Sequence, residues 1–180
     1  YLLDIKTGEE KNISPSKREN LTEPIVLASY MMKSIYSAKF LEFFGDMVKN
    51  MHPKALLYPQ GGSFIYAYLA CGLVDAYVMF NEPRSEVDPG FPIAKAAGCQ
   101  IVSVDSDGRY RDYEFLPARQ HDKVDLLIAS NNSKIRDQLI NALEKDAVDI
   151  VKMIVAKALG GDMVAAKIIM DRLIPQQKAI

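Results

Sequence analysis

Short apolar runs alternate with stretches of helical spacing over the first 140 residues. Ile25-Val26-Leu27-Ala28-Ser29-Tyr30 is an unbroken run of strand length, the kind that sits buried on both faces of a sheet. From 34 to 51 the apolar residues Ile35, Phe40, Leu41, Phe43, Phe44, Met47 and Val48 recur at helical spacing, and Pro53 ends the helix they predict. Further strands are expected at 55–58, 74–80, 100–104 and 126–129. Between them the pattern predicts a helix over 63–71, capped by Ser63 and stopped by Gly72. Another starts with Asp88 as N-cap and Pro89 as first helical residue and ends near Gly98. A third covers 134–143 behind Asn131-Asn132-Ser133. Residues 1–14 read as a hairpin around Lys6-Thr7-Gly8-Glu9, residues 105–108 as a turn, and 15–24 and 81–85 as loops. Strands alternating with helices predict an α/β layered sandwich with a mixed sheet and flanking helices.

Past residue 141 the rhythm changes. Two helical patterns, 147–159 and 163–173, are split by Gly160-Gly161-Asp162, with Asp162 placed to cap the second and Pro175 to stop it. The expected organisation is an α/β domain over 1–141 and a carboxyl-terminal helical hairpin over 142–180. Composition narrows the class. The chain has 180 residues, 49% hydrophobic and 25% charged, which excludes disordered, collagen-like and fibrous proteins. Its 22 Lys+Arg against 23 Asp+Glu give no overall attraction to nucleic acid or acidic lipid, and neither is an expected partner. The apolar stretch 64–80 is broken by Gly72 and Asp75, so no membrane span is expected. Cys71 and Cys99 lack metal-ligand or Cys-x-x-Cys spacing, and two buried thiols in a reducing, cytoplasmic setting are expected. The start carries neither an initiator Met nor a secretory signal, which reads as a fragment or a processed start.

Candidate chemistry concentrates between Gly61 and Gly98. Gly61-Gly62-Ser63 leads into one helix, and Glu86 and Asp88 lead into another. Helix N-termini carry unsatisfied N–H groups that favour phosphate oxygens. A carboxylate at the same place can hold a hard divalent cation that bridges to the phosphate. Plainer readings stand beside these. Asp88 serves equally as a cap, Gly61-Gly62-Ser63 as an ordinary strand-to-helix turn, and Glu82 and Glu86 as solvated loop carboxylates. His52 abuts a helix end and His121 sits in a charged loop, so no Ser/His/Asp or Cys/His arrangement assembles. Phe64, Tyr66 and Tyr68 read as core.

Gly61-Gly62-Ser63, Gly72-Leu73-Val74-Asp75-Ala76-Tyr77 and Asp88 with Ala96-Ala97-Gly98 resemble the carboxyl-terminal half of the inositol monophosphatase-type phosphatases. The family patterns there are Gly-x-x-Asp-(Gly/Ala)-(Tyr/Phe) and Trp-Asp-x-Ala-(Ala/Gly)-Gly. The opening hairpin and Asp125-Leu126-Leu127-Ile128-Ala129-Ser130-Asn131 are similar to two further family segments, in the same order. The resemblance covers about residues 1–141. It implies a layered α/β fold and Mg²⁺-dependent hydrolysis of a small phosphomonoester, a sugar or inositol phosphate. It implies Asp88 as the catalytic aspartate and metal ligand, Gly62 and Ser63 as substrate contacts, and Glu82 or Glu86 as the carboxylate that reads substrate hydroxyls.

The departures are equally specific. Val87 replaces the family's Trp, and the Glu-Glu and Asp-Pro-(Ile/Leu)-Asp-Gly-Thr metal ligands, which precede the hairpin in that family, are absent from this sequence. One carboxylate holds Mg²⁺ weakly. The stretch is therefore expected to be an incomplete phosphatase, inactive alone. The competing expectation is a non-enzymatic scaffold on a degenerate half-fold, forming a homo-oligomer to cover its apolar edge. Residues 150–175 are similar to a helical segment of phage-associated proteins, which offers nucleic-acid handling as a further alternative, although Lys145, Lys152, Lys157, Lys167 and Arg172 are balanced by acids.

Overall fold

The computed structural model describes residues 2–3, 6–104 and 109–164, with the backbone alone for 2–3, 145–154, 157 and 158. Two compact units emerge, 1–140 and 141–180. In the first, Leu2–Leu3 (β1) and Glu10–Lys11 (β2) pair antiparallel across a turn in which Gly8 takes φ 70°. The main sheet comprises Val26–Ser29 (β3), Leu56–Tyr58 (β4), Ala76–Pro83 (β5), Gln100–Val104 (β6), Tyr110–Asp112 (β7) and Lys123–Ser130 (β8). Its order is β4-β3-β5-β8-β6-β7. β3 runs parallel to β4 and β5, whereas β8 is antiparallel to β5 and β6, and β6 to β7. The sheet is thus mixed, as the alternation of patterns predicts.

Helices cover both faces, which is why the central strands read as continuous apolar runs. Ala76 to Phe80 of β5 are all buried. Side chains alternate along it: Tyr77 and Met79 join Ile65, Tyr66 and Leu69 of helix α2 (Phe64–Ala70) in one core, with Ala94 of α4 (Phe91–Ala96). On the other face Phe43 and Phe44 of α1 (Ser34–Lys49) meet the ring of Phe80. Phe64 and Tyr68, expected in the core, are 41% and 38% exposed on the outer side of α2. Cys99 is buried and Cys71 only partly so.

A polar junction fixes the segment between β2 and β3. Asp75, fully buried, accepts from Arg18 Nη1 at 2.9 Å and from the Val26 amide at 2.7 Å through Oδ2. Asn131 Nδ2 donates to the carbonyls of Ser16 and Arg18, and Asn132 Nδ2 also donates to Arg18. Gln138 adds bonds to Leu21 and Glu19. Gly72, at φ 72°, lets this segment pass: a Cβ there would lie 3.0 Å from the Ser16 nitrogen.

Three expected element boundaries change as well. Residues 81–85 are not a loop: β5 continues to Pro83, and Arg84–Val87 forms the short helix α3. Asp88 closes α3 rather than opening the next helix, because α4 begins at Phe91 with Gly90 before it. The patterns at 134–143 and 147–159 are one helix, α5 (Ser133–Leu159), since Glu144-Lys145-Asp146 is polar but contains no Gly or Pro to stop it. Asn132 caps α5, its Oδ1 accepting from the Ile135 amide. In the second unit Gly161 turns the chain at φ 92°, and Asp162 Oδ1 accepts from the Val164 amide, the expected cap. The rest of that second arm and the turn at 105–108 lie outside the described residues. Among the described residues no helix is long and apolar enough to cross a membrane.

Candidate functional site

The end of β5 carries the candidate residues. Its backbone turns at Asn81, which adopts φ 58°, so that Glu82 points into the protein while Pro83 leads into α3. Opposite-face neighbours then decide each carboxylate's surroundings.

Glu82 is 1% exposed. Both its oxygens accept phenolic protons, Oε1 from Tyr77 at 2.9 Å and Oε2 from Tyr66 at 3.1 Å. Burial pushes its carboxyl up to about 7; the two tyrosine hydrogen bonds pull the other way, and Glu86 adds a smaller upward push. The phenols of Tyr66 and Tyr77 are themselves held well above their ordinary range, by burial first and then by the Glu82 charge. The Tyr77 oxygen also accepts from the Gly62 amide at 3.3 Å, which ties the glycine turn to this cluster. Gly61 has no room for a side chain: a Cβ would sit 2.5 Å from that hydroxyl. Above them lies a recess of about 400 Å³ lined by Gly61, Gly62, Tyr77, Asn81, Glu82 and Glu86, with Tyr30, Tyr36, Lys33 and Lys123 at its walls.

Asp88 faces a different recess. It is 6% exposed; Oδ1 accepts the Tyr113 proton at 2.6 Å, and Oδ2 is buried without a hydrogen-bond partner. Tyr113 arrives from beyond β7 and is itself gripped by Arg84, whose Nη1 donates to the phenol at 3.2 Å and to the Glu114 carbonyl at 2.8 Å. Arg84 also lies 4.9 Å over the Tyr113 ring. Burial, then the bond to Asp88, raises the Tyr113 phenol. The adjoining recess, about 500 Å³, is lined by Ser85, Asp88, Pro89, Phe91, Pro92, Phe115 and Gln120, an apolar rim around few polar groups.

Gly62, Glu82 and Glu86 therefore line one recess, whereas Asp88 lines another. Ser63 belongs to neither recess; it makes no side-chain cap bond, and its carbonyl abuts Gly90. Glu82 is not the solvated loop carboxylate of the plainer reading, while Glu86 is exposed. Sequence reasoning missed Tyr66, Tyr77, Tyr113 and Arg84. The available signal was chemical: a buried phenol must find a partner for its hydroxyl, and Tyr66 and Tyr77 fall in apolar runs near acidic residues.

Magnesium, implied by the resemblance, takes six oxygens in a strict octahedron. The orphaned Asp88 Oδ2 suits one such position. Among the described residues no three His, Cys, Asp or Glu side chains converge on a common point, so these residues do not by themselves fit a magnesium site.

No protein-family model matches the chain, and no curated protein sequence does. Solved structures do. The IMPase of Thermotoga maritima matches with a TM-score of 0.55 at 19% identity, over 80% of this chain and 48% of its own. The inositol monophosphatase from Anabaena (Nostoc) matches at 0.51 and 19%, over 74% and 48% respectively. The extragenic suppressor protein SuhB from Bartonella henselae matches at 0.52 and 20%, over 74% and 46%. The chain spans about half the length of these structures. Over that span, a mixed six-stranded sheet with flanking helices, the chain has the inositol monophosphatase-type fold.

Proposed function

We propose that this chain forms part of a Mg²⁺-dependent phosphomonoesterase acting on a small sugar or inositol phosphate. The observation that carries the reading is Asp88, buried on this fold with one carboxylate oxygen fastened to Tyr113 and the other unpaired beside a recess. In this reading Oδ2 would be one ligand to the ion, and the described residues offer no complete ligand set beside it. A bound Mg²⁺ would neutralise charge on the phosphoryl oxygens. Tyr113 and Arg84 hold the aspartate in one orientation; Gly62, Glu82 and Glu86, lining the other recess, would form the substrate side, while Ser63 lines neither recess. Both recesses are of a size for a monosaccharide or cyclitol phosphate. Phosphate release from sugar and inositol monophosphates, assayed on the protein as the cell makes it, tests the proposal. Asp88→Asn keeps an acceptor for Tyr113 yet removes the ligand charge, and is expected to lower kcat about 100-fold or more in Mg²⁺. Undiminished turnover in that variant overturns the assignment.

A second reading is an interaction scaffold that pairs with its own copy. The outer edge of β4 favours it, because Leu56 and Leu57 there are 61% and 38% exposed beside a strand edge that ends the sheet. Light scattering distinguishes the two: a dimer dispersed by Leu56→Lys supports the scaffold, and a monodisperse wild-type monomer counts against it.

A further inference from the structure

The recess at Gly61-Gly62 has a charge pattern that the phosphatase reading leaves unused. Two cations line it from different elements, Lys33 just before α1 and Lys123 at the start of β8. Among the described residues neither makes an ion pair. Facing them are Glu86 on α3, exposed, and Glu82 on β5, buried behind Tyr77 and Tyr66, with the phenols of Tyr30 and Tyr36 on the remaining wall. With both carboxylates ionised the cations are cancelled. With Glu82 neutral, one positive charge remains uncancelled.

Hydrogen-bond inventory gives the same direction. An ionised carboxylate only accepts, and both Glu82 oxygens accept tyrosine protons. A protonated Glu82 must itself donate to one of those phenolic oxygens, and that phenol must then donate elsewhere. Both phenols are wholly buried, but Tyr77 lines the recess and Tyr66 does not, so the released hydroxyl proton is the one on Tyr77. Its oxygen keeps the bond from the Gly62 amide. Proton uptake at Glu82 thus adds a donor that faces the recess.

We propose that this recess binds a tetrahedral oxyanion, the group shared by phosphate and sulfate esters, and that Glu82 takes up one proton from solvent as it binds. Lys33 and Lys123 neutralise the anion, Tyr77 donates to it, and the neutral Glu82 no longer opposes it. An ammonium ligand would meet two lysines and would favour the ionised Glu82 instead. The site shares Gly62, Glu82 and Glu86 with the substrate side of the phosphatase reading but uses neither Asp88 nor a metal, so sulfate binding without Mg²⁺ can fail or succeed whatever the outcome of the turnover assay.

Sulfate is the probe, because it does not titrate near neutrality, and Mg²⁺ is left out. The Glu82 carboxyl is followed by ¹³C NMR as a function of pH with and without sulfate, Glu82→Gln identifying its resonance. Its free value lies at about 7. Saturating sulfate is expected to raise it by about one unit, the order expected for a like charge nearby, and by linkage sulfate should bind about tenfold more tightly to the protonated form. Lys33→Ala with Lys123→Ala, both on exposed side chains, should abolish the rise. Absence of sulfate binding, sulfate binding that leaves Glu82 unmoved, or a rise that survives loss of both lysines would each overturn the proposal.

Discussion

A carboxyl group enclosed as Glu82 is, with tyrosine hydroxyls on both oxygens and burial holding it at about 7, keeps its proton in the folded chain over a range where the unfolded chain, near 4.5, has lost it. The folded state therefore binds more protons between those values, and its stability falls as pH rises through that window. The loss is at most about 3 kcal/mol and is complete above pH 7 to 8. Urea unfolding at pH 5 and pH 8 should show it, and Glu82→Gln should flatten the difference while becoming the more stable protein at pH 8. An equal pH dependence in the variant would place the effect elsewhere. The sequence marks Asp88, and Glu82 or Glu86, as candidate chemistry through the family resemblance. It did not reveal that Glu82 and Asp88 line different recesses, because that depends on how Asn81 bends the backbone and on tyrosine partners 5 to 25 residues away in the sequence.

At the scale of elements, α2 and α4 pack closely enough that Gly90 touches its neighbour directly. A Cβ at position 90 would fall 2.6 Å from the Ser63 carbonyl and 2.6 Å from the Tyr66 Cβ. Neither atom is the free end of a flexible side chain, so Gly90→Ala is expected to cost about 1–3 kcal/mol, read as a lower thermal unfolding midpoint. The same displacement would move Tyr66 off Glu82, so the variant's Glu82 titration should shift as well. The apolar runs made every central strand legible, as did the cap at Asp162 and the stop at Gly72. β7 was not, for a physical reason: Tyr110-Arg111-Asp112 is an edge strand with its residues largely in water, and edge strands need no apolar signal. α3 is one turn long, too short to show a period, and Arg84 and Glu86 within it read as loop residues.

Across the whole first unit, long-range polar contacts close the fold. Asp75 is fully buried and its charge is met by Arg18, whose side chain is 38% exposed. Arg18→Met is expected to destabilise by about 2–3 kcal/mol, somewhat less than loss of a fully enclosed partner, because water still reaches the guanidinium side. Chemical unfolding measures it, and the double variant with Asp75→Asn should recover part of the loss, since the orphaned charge goes with it. None of this junction was legible in the sequence, because its partners are 49 to 119 residues apart. β8 sits between β5 and β6 in the sheet although it is the last strand made. On a ribosome, then, the nascent chain must hold two unfinished half-sheets with apolar flanks until residues 123–130 emerge, and residues 16–21, held until then by the Arg18–Asp75 pair, gain their remaining bonds only when Asn131 and Gln138 follow them out. A stall anywhere before that point would leave a sticky intermediate for chaperones to guard.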